Sequence, residues 1–277
     1  MATKSELRYA SHPEDFKTYT TCKLRKEYLV SNLFEAGNIN LVYSLYDRMI
    51  VGGACPKKGE TLTLEPIDDI KSNYFLERRE LGIINVGNNE GIVVVDNQEF
   101  VLNYKEALYV GKGVQQVQFK GETNFYLNST PAHASYPTTK VTQKEAEVVE
   151  LGSLETSNHR IINKLIVNSV VKTCQLQMGM TSLQKGSVWN TMPAHSHNRR
   201  MEAYFYFEVP ENQAICHLMG QPEETRHIWM QNNEAVISPS WSIHSAAGTS
   251  NYTFIWGMAG ENLDYGDMDT RKITDLK

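Results

Sequence analysis

The chain has 277 residues, which is long enough to bury a hydrophobic core without the help of disulfides or metals. Hydrophobic residues make up 41% and charged residues 21%, a composition that fits a compact globular protein and excludes a disordered or coiled-coil chain. The formal net charge of −5, with no long run of either sign, argues against nucleic acid or an anionic membrane as the main partner.

Export and membrane signals are missing from the sequence. The N-terminus lacks the apolar core of a signal peptide, and no stretch approaches the roughly 18 to 20 apolar residues of a membrane helix. The four cysteines lie far apart and form no Cys-x-x-Cys pair, which favours reduced thiols. We therefore expect a cytoplasmic protein. The cysteines are Cys22, Cys55, Cys174 and Cys216.

Helical periodicity is scarce along the chain. Residues 22–34 carry apolar side chains near helical spacing and predict a first helix. Residues 142–149 predict a second, because Thr142 and Glu145 have the spacing of a capping box. The rest reads as short β-branched and aromatic runs separated by turn residues, which predicts an all-β fold. The predicted strands are 82–86, 91–95, 107–110, 114–119, 203–209, 214–218, 235–237 and 252–257.

The two halves of the sequence resemble each other in the order of their features. An Arg-Arg pair precedes the first predicted strand of each half, at 78–79 and at 199–200. A duplicated β-domain explains this order, and the polar stretch 137–152 is the natural connection between the copies. We therefore predict two β-barrels, one over residues 1–140 that includes the N-terminal helical segment and one over residues 141–277.

The second half contains a group of residues with the pattern of a metal site. His195 and His197 are two apart, so in a strand both imidazoles point to the same face. Glu202 has the wrong parity for an unbroken strand, and a bulge or bend near 198–201 is needed to bring it to that face. His244, just after a Pro-containing turn, can supply a fourth ligand from a distant strand.

A His-x-His pair alone is more typical of two solvated or hydrogen-bonded histidines than of a metal site. Together with Glu202 and His244, the pair favours a metal. Three imidazoles and a carboxylate suit Zn²⁺, Fe²⁺, Mn²⁺, Co²⁺ or Ni²⁺, and the absence of thiolate ligands predicts an open coordination position rather than a closed structural site.

This group resembles the cupin metal motif, in which His-x-His and a glutamate are followed by a second motif that ends in Pro-x-Gly-x-x-His. Trp241 stands where that second motif has glycine, and Gly186 lies further from His195 than the motif places it. The first half has no His-x-His and resembles a degenerate cupin barrel without metal. The fold that the resemblance implies is a bicupin.

The resemblance narrows to one family when the whole chain is considered. From about Leu24 to Leu276, the sequence resembles the 5-keto-4-deoxyuronate isomerase family. The segments that carry this resemblance are 42–53, 74–87, 107–113, 189–207, 219–228, 239–245 and 253–262.

The family implies a function in pectin and related uronate degradation. Its members are bacterial ketol-isomerases that convert 5-dehydro-4-deoxy-D-glucuronate to 3-deoxy-D-glycero-2,5-hexodiulosonate, and they are hexamers with one zinc ion per subunit. The resemblance assigns the zinc ligands here to His195, His197, Glu202 and His244. Such a metal would stabilise the enediolate through which a carbonyl moves from C1 to C2.

Candidates for the remaining roles follow from strand alternation and from the substrate's carboxylate. If Glu202 faces inward, Tyr204 and Tyr206 share its face and are candidates for proton transfer, although buried core tyrosines fit the pattern equally well. A guanidinium recognises a carboxylate well, so Arg199 and Arg226 are candidates for binding it. The general acid and base stay unassigned.

Two other functions fit the same four ligands. One is an Fe²⁺ cupin dioxygenase, which would consume oxygen with iron bound. The other is a sugar-binding bicupin, in which the metal only stabilises the fold and binding occurs without turnover.

Overall fold

The computed structural model describes residues 3–261 and 265–277, so Asn262, the last residue of the segment 253–262, lies outside the described residues. Within these ranges the protein is built mainly of strands, which confirms the all-β prediction. The strands are β1 (Thr3–Arg8), β2 (Leu29–Val30), β3 (Asn38–Ser44), β4 (Ile50–Cys55), β5 (Thr61–Thr63), β6 (Arg79–Asn85), β7 (Gly91–Val95), β8 (Gln98–Leu102), β9 (Ala107–Val110), β10 (Val117–Lys120), β11 (Phe125–Pro131), β12 (Thr139–Val141), β13 (Glu147–Leu151), β14 (Arg160–Ile166), β15 (Gln177–Leu183), β16 (Trp189–Asn190), β17 (His195–Ser196), β18 (Arg200–Phe207), β19 (Ile215–Gln221), β20 (Glu224–Met230), β21 (Glu234–Ser238), β22 (Ile243–Gly248), β23 (Thr253–Gly260) and β24 (Asp269–Thr270). The helices are α1 (Pro13–Phe16), α2 (Thr21–Tyr28) and the 3-10 turns Asp68–Ile70 and Ile273–Asp275.

The sheets repeat in strand order, as a duplicated fold predicts. One seven-stranded sheet has the order β1-β3-β4-β11-β6-β9-β12, and another has the order β13-β14-β15-β23-β18-β21-β2. The two four-stranded sheets run β5-β10-β7-β8 and β16-β22-β19-β20. From β3 to β11 and from β14 to β23, each strand of the first copy has a counterpart in the second, and β17 is an addition to the second copy. In particular β6 corresponds to β18.

The chain forms two compact units that are not consecutive halves. Unit 1 contains residues 3–8, 32–147 and 164–178, and unit 2 contains 9–31, 148–163 and the described residues from 179 onward. The helices α1 and α2 therefore belong to unit 2, with the second barrel. The single boundary at 140/141, which rests on the similarity of the two halves, stays a prediction.

Unit 1 encloses a core of aliphatic and aromatic side chains from facing strands, and one carboxylate within that core. Glu80 is fully buried, and its oxygens accept hydrogen bonds from the Tyr109 hydroxyl (2.7 Å) and the Thr130 hydroxyl (3.1 Å). The backbone N–H groups of residues 174–176 also donate to it, each at 2.8 Å. A buried carboxylate needs such a complete set of donors. Residues 164–178 are thereby an integral part of unit 1.

Both helix predictions need correction. The first predicted helix (22–34) ends at Tyr28, because Leu29 and Val30 form the edge strand β2 and pair with β21 at Val236 and Ala235. Edge pairing satisfies these backbone groups, which an extension of the helix would leave exposed at its end.

The second predicted helix is wrong. Glu145 does accept hydrogen bonds from the backbone and hydroxyl of Thr142, both at 2.8 Å, but this contact closes a single turn. The chain then enters β13, where successive valines at 148 and 149 favour an extended backbone. None of the described helices is long and apolar enough to cross a membrane.

Candidate metal centre

The first part of the site is a break between two strands of unit 2. His195 lies in β17, which pairs with β24, and β18 starts at Arg200. Residues 197–199 between them leave the extended ladder, and the backbone N–H of His197 donates to the carbonyl of Ser240 at 3.3 Å. This interruption changes the parity of the strand and turns Glu202 to the face of the two histidines. The predicted bend near 198–201 is confirmed.

The four predicted ligands converge in the interior of unit 2. One nitrogen or oxygen from each of His195, His197, Glu202 and His244 lies within 4.8 Å of the others, and we call these four residues the donor cluster. The Nε2 atoms of His195 and His244 are 2.9 Å apart. Oε1 of Glu202 lies 2.7 Å from Nε2 of His197 and 3.6 Å from that of His244.

His197 is held in the tautomer that a metal requires. Its Nδ1 donates to the backbone carbonyl of Asp267, which can only accept, so the neutral form of the ring has its lone pair on Nε2. That buried Nε2 has no hydrogen-bond partner among the described residues, although it faces the Glu202 carboxylate. A cation at the centre of the donor cluster would engage this lone pair, since outer contacts of this kind orient metal-binding histidines.

Burial sets the charge of the donor cluster near neutral pH. It lowers the pKa of His195 to about 4 and moves the pKa of His244 well below its usual range. Burial by itself raises the pKa of the Glu202 carboxyl, but the neighbouring imidazoles, His244 first, outweigh it and hold that pKa well below its ordinary value. The cluster therefore offers imidazole lone pairs and one carboxylate, the donor set of a divalent transition metal.

Tyr204 and Tyr206 lie on the same interior face as Glu202, as strand alternation predicts. The Tyr204 ring centroid is 5.2 Å from that of His244, and its hydroxyl lies 3.2 Å from Oγ1 of Thr191. Burial raises the pKa of both tyrosines well above 10. Both therefore carry their protons at neutral pH and can act as hydrogen-bond donors. Phe205 and Phe207 stack on each other on the opposite face.

His217, for which the sequence indicates only a structural or substrate-facing position, is a further member of this interior. It is fully buried, its Nδ1 is 2.8 Å from the Tyr206 hydroxyl, and burial lowers its pKa to about 3. Its Nε2 has no hydrogen-bond partner among the described residues. The register of β19 with β22 explains its position: His217 pairs with Ala246, and Ala246 lies on the same face of β22 as His244. That register cannot be read from one strand.

The two predicted arginines are engaged by other residues. Arg199 is about half exposed and forms an ion pair with Asp267 at 2.6 Å, next to the carbonyl that orients His197. Arg226 pairs with Glu224 at 2.6 Å and donates to the backbone carbonyl of Lys17 in unit 2.

Comparisons with known proteins agree with this geometry. A model of the KduI/IolB family matches residues 31–273. A 4-deoxy-L-threo-5-hexosulose-uronate ketol-isomerase of Formosa agariphila is 61% identical, and the alignment covers all of both chains.

Solved structures with the same fold are more distant in sequence. An IolB-like protein of Salmonella typhimurium aligns with a TM-score of 0.71 at 16% identity, over 88% of this chain and 96% of that one. Oxalate decarboxylase of Bacillus subtilis, described with Mn(II) centres, aligns with a TM-score of 0.54 at 9% identity, over 78% of this chain and 70% of that one. At such identities the likeness concerns the fold, which is the two-barrel cupin fold.

Proposed function

Because this chain belongs to the KduI/IolB family, we propose that it is a ketol-isomerase that converts 5-dehydro-4-deoxy-D-glucuronate to 3-deoxy-D-glycero-2,5-hexodiulosonate in uronate degradation. The observation that carries the proposal is the buried donor cluster beside a protonated tyrosine, in a chain that matches a ketol-isomerase from end to end. An aldose–ketose isomerisation needs both parts, since charge develops on two neighbouring oxygens while protons move between them.

The residues of the donor cluster fit a divalent metal, and we propose zinc, one ion per subunit. The fit rests on the lone pair of His197, which is fixed toward the cluster, and on imidazoles that burial keeps neutral. A bound zinc ion would supply Lewis acidity toward the oxygens on C1 and C2 without redox chemistry. His195, His197, Glu202 and His244 would hold it.

Tyr204 is the residue we assign to proton handling at the substrate. Its hydroxyl keeps its proton at neutral pH, lies on the face of Glu202 and is oriented by Thr191. It can therefore donate a hydrogen bond to a substrate oxygen that gains negative charge when the C2 proton leaves. Glu202 would be a poor base because its carboxylate is directed to the cluster. Tyr206 is tied to His217 and holds that imidazole in place.

Recognition of the substrate's carboxylate needs a cation at the edge of the site. Arg199 follows the His-x-His segment by two residues and reaches solvent, so it can exchange its contact with Asp267 for the substrate. Arg226 is held by the Glu224 carboxylate and the Lys17 carbonyl, so we favour Arg199 over Arg226 for binding the substrate's carboxylate. We further propose a hexamer in the cytoplasm, by analogy with the family.

The test is metal analysis coupled to turnover. We expect about one zinc per chain, conversion of 5-dehydro-4-deoxy-D-glucuronate that chelation abolishes, and recovery when zinc is restored. His197→Ala should lose metal and activity together. His227→Ala, at an exposed position of β20, is the matched control and should keep both.

Other outcomes would favour the two alternatives. Bound iron with oxygen consumption would indicate a dioxygenase. Saturable uronate binding without turnover, together with a His197→Ala variant that is less stable but still binds, would indicate a sugar-binding protein. Light scattering of the purified protein would test the hexamer, and a dimer or monomer would contradict it.

A further inference from the structure

Unit 1 contains a cavity that the proposed reaction does not use. Its volume is about 640 Å³, within the range of small-molecule sites. It lies where Arg79, the first residue of β6, meets the turn that carries Arg48 and the segment around Gln175, all within unit 1. The lining also contains Tyr43, Asp69, Ile70, Ser72, Arg78, Lys112, Pro131, Ala132 and His133.

Arg79 is built into the wall of this cavity. It is 4% exposed, its Nε donates to the Ser129 hydroxyl at 3.1 Å, and its Nη2 donates to the carbonyls of Ser129 (2.7 Å) and Arg48 (2.6 Å). The guanidinium also lies over the Tyr43 ring, 5.6 Å from its centroid. A guanidinium has five N–H donors, and the two on Nη1 bind no described residue. Arg79 is therefore fixed in place with an unused edge.

The residue of unit 2 that corresponds to Arg79 is Arg200, and its guanidinium has different partners. Arg200 begins β18 as Arg79 begins β6, and its Nη2 donates to the backbone carbonyls of Tyr265 and Asp267. In unit 1 the carbonyls that bind Nη2 of Arg79 come instead from Arg48 and Ser129. Arg79 therefore borders a cavity in unit 1, whereas the chain near Tyr265 and Asp267 contacts the guanidinium of Arg200 in unit 2.

The charges around Arg79 reinforce this difference. Arg48, Arg78, Lys112 and His133 also line the cavity, against a single acidic residue, Asp69. Within the described part of the chain, none of these basic side chains, nor Arg79 itself, forms an ion pair. Arg78 is held through hydrogen bonds to the Ile70 carbonyl and the Ser72 hydroxyl. Positive side chains that outnumber the acidic residues of a cavity in this way favour the binding of an anion.

We propose that this cavity binds a small oxyanion, the carboxylate or phosphate group of a polar metabolite. Nη1 of Arg79 would bind one edge of the anion, while Arg78 and Lys112 would bind it from the rim. The volume allows a sugar-sized molecule to accompany the charged group. The inference rests on unit 1 alone and stands whether or not the proposed isomerase activity does.

Isothermal titration calorimetry of the full-length protein at low salt would test the proposal. The probes are D-glucuronate, inorganic phosphate and neutral D-glucose. We expect one of the two anions to bind with Kd at or below about 1 mM. The double variant Arg78→Gln, Lys112→Gln should weaken that binding at least about tenfold. The control is Lys58→Gln, Lys144→Gln, which removes the same charge at exposed positions of unit 1 and should bind normally.

Each result decides the matter. Binding of glucuronate alone would assign a sugar acid, binding of phosphate alone a phosphate ester, and Arg79→Lys should weaken either because it removes the guanidinium edge. No binding of either anion, or equal binding by both double variants, would overturn the proposal. A change of oligomeric state in the Arg78→Gln, Lys112→Gln variant without anion binding would show instead that these side chains form a subunit interface.

Discussion

At the scale of single residues, the interior of unit 2 separates two kinds of polar group. The donor cluster presents lone pairs and a carboxylate, while Tyr204 and Tyr206 present hydroxyl protons. The separation arises because burial opposes every charged form, and only Glu202 has enough neighbours to keep its charge. Groups whose pKa values are driven apart in this way are suited to acid–base chemistry.

Tyr204→Phe tests the proton-handling role. Removal of the hydroxyl should lower kcat by about 10²- to 10⁴-fold, because that is the usual contribution of a positioned proton donor. The metal content and the circular dichroism spectrum should stay unchanged. Tyr126→Phe removes a buried hydroxyl from unit 1 and should leave kcat as it is. If Tyr204→Phe has the kcat of the wild type, Tyr204 only packs in the core and does not handle a proton.

His217 gives a prediction about pH. Its folded-state pKa of about 3 lies below the unfolded value of roughly 6.5, so between these values the unfolded chain binds one more proton. The stability that the neutral ring contributes is complete above about pH 6.5 and falls by about 1.4 kcal/mol per unit as the pH drops toward 3.

The measurement is urea unfolding with a chelator present, at several pH values in this window. His217→Gln should flatten the dependence by about one proton, and His227→Gln, on the exposed side of β20, is the control. A His217→Gln variant with the slope of the wild type would contradict the assignment of a buried neutral ring.

Three residues of the donor cluster could be predicted from one short local pattern, and His244 was added from a distant strand by the turn before it and by the family resemblance. His-x-His, the bend before Glu202 and the alternation to Tyr204 need only the geometry of one strand. His217 and the Asp267 carbonyl could not be found this way. His217 reaches the site through the register of β19 with β22, and the Asp267 carbonyl reaches it through a segment near the C-terminus. The spacing of residues within one segment predicts neither.

At the scale of elements, β15 and β23 show how tightly the second seven-stranded sheet is packed in unit 2. A Cβ on Gly179 would lie 2.1 Å from Cζ2 of Trp256. Glycine is therefore required here by the close approach of an indole ring, and not by an unusual backbone conformation.

Gly179→Ala should lower the free energy of unfolding by about 1 to 3 kcal/mol through overpacking. Trp256→Phe, which removes the part of the ring that meets the new methyl group, should restore part of this loss in the double variant. The indole Nε1 has no hydrogen-bond partner among the described residues, so its removal breaks no bond. Thermal unfolding of the four proteins measures the coupling, and additive effects would contradict the contact.

Element prediction succeeded where alternation was strong and failed where two periodicities competed. The strands β7 and β9 have their predicted bounds. The helix predicted at 142–149 failed because a capping contact is a property of four residues, and it also occurs in an isolated turn. Whether a helix follows depends on pairing partners elsewhere in the chain, which single-sequence patterns do not contain.

At the scale of the whole molecule, the two compact units exchange segments along the chain. Residues 164–178 complete unit 1, and residues 9–31 belong to unit 2. A division at any single peptide bond therefore removes part of one unit. This arrangement restricts how the protein can be shortened.

Two fragments test this organisation. A fragment of residues 1–147 lacks the three N–H groups that bind Glu80, each worth about 1.5 to 3 kcal/mol to a charged acceptor. We expect it to lack a cooperative thermal transition, whereas the fragment 1–178 should show one and should resist proteolysis better. Equal stability of the two fragments would show that residues 164–178 are dispensable for unit 1.

Because each unit contains segments from distant parts of the chain, the order of translation also determines when each unit can fold. Unit 1 can close only after Leu176 has emerged, since until then the carboxylate of Glu80 has no backbone donors from that segment. Residues 9–31 are made near the start, but their partners in β19 to β21 are translated about 200 residues later. At about 5 to 20 residues per second, that delay amounts to roughly ten seconds or more. During synthesis the apolar faces of α1 and α2 are therefore exposed to chaperones, and substitutions of their buried side chains should lower the yield in cells as well as the stability of the finished protein.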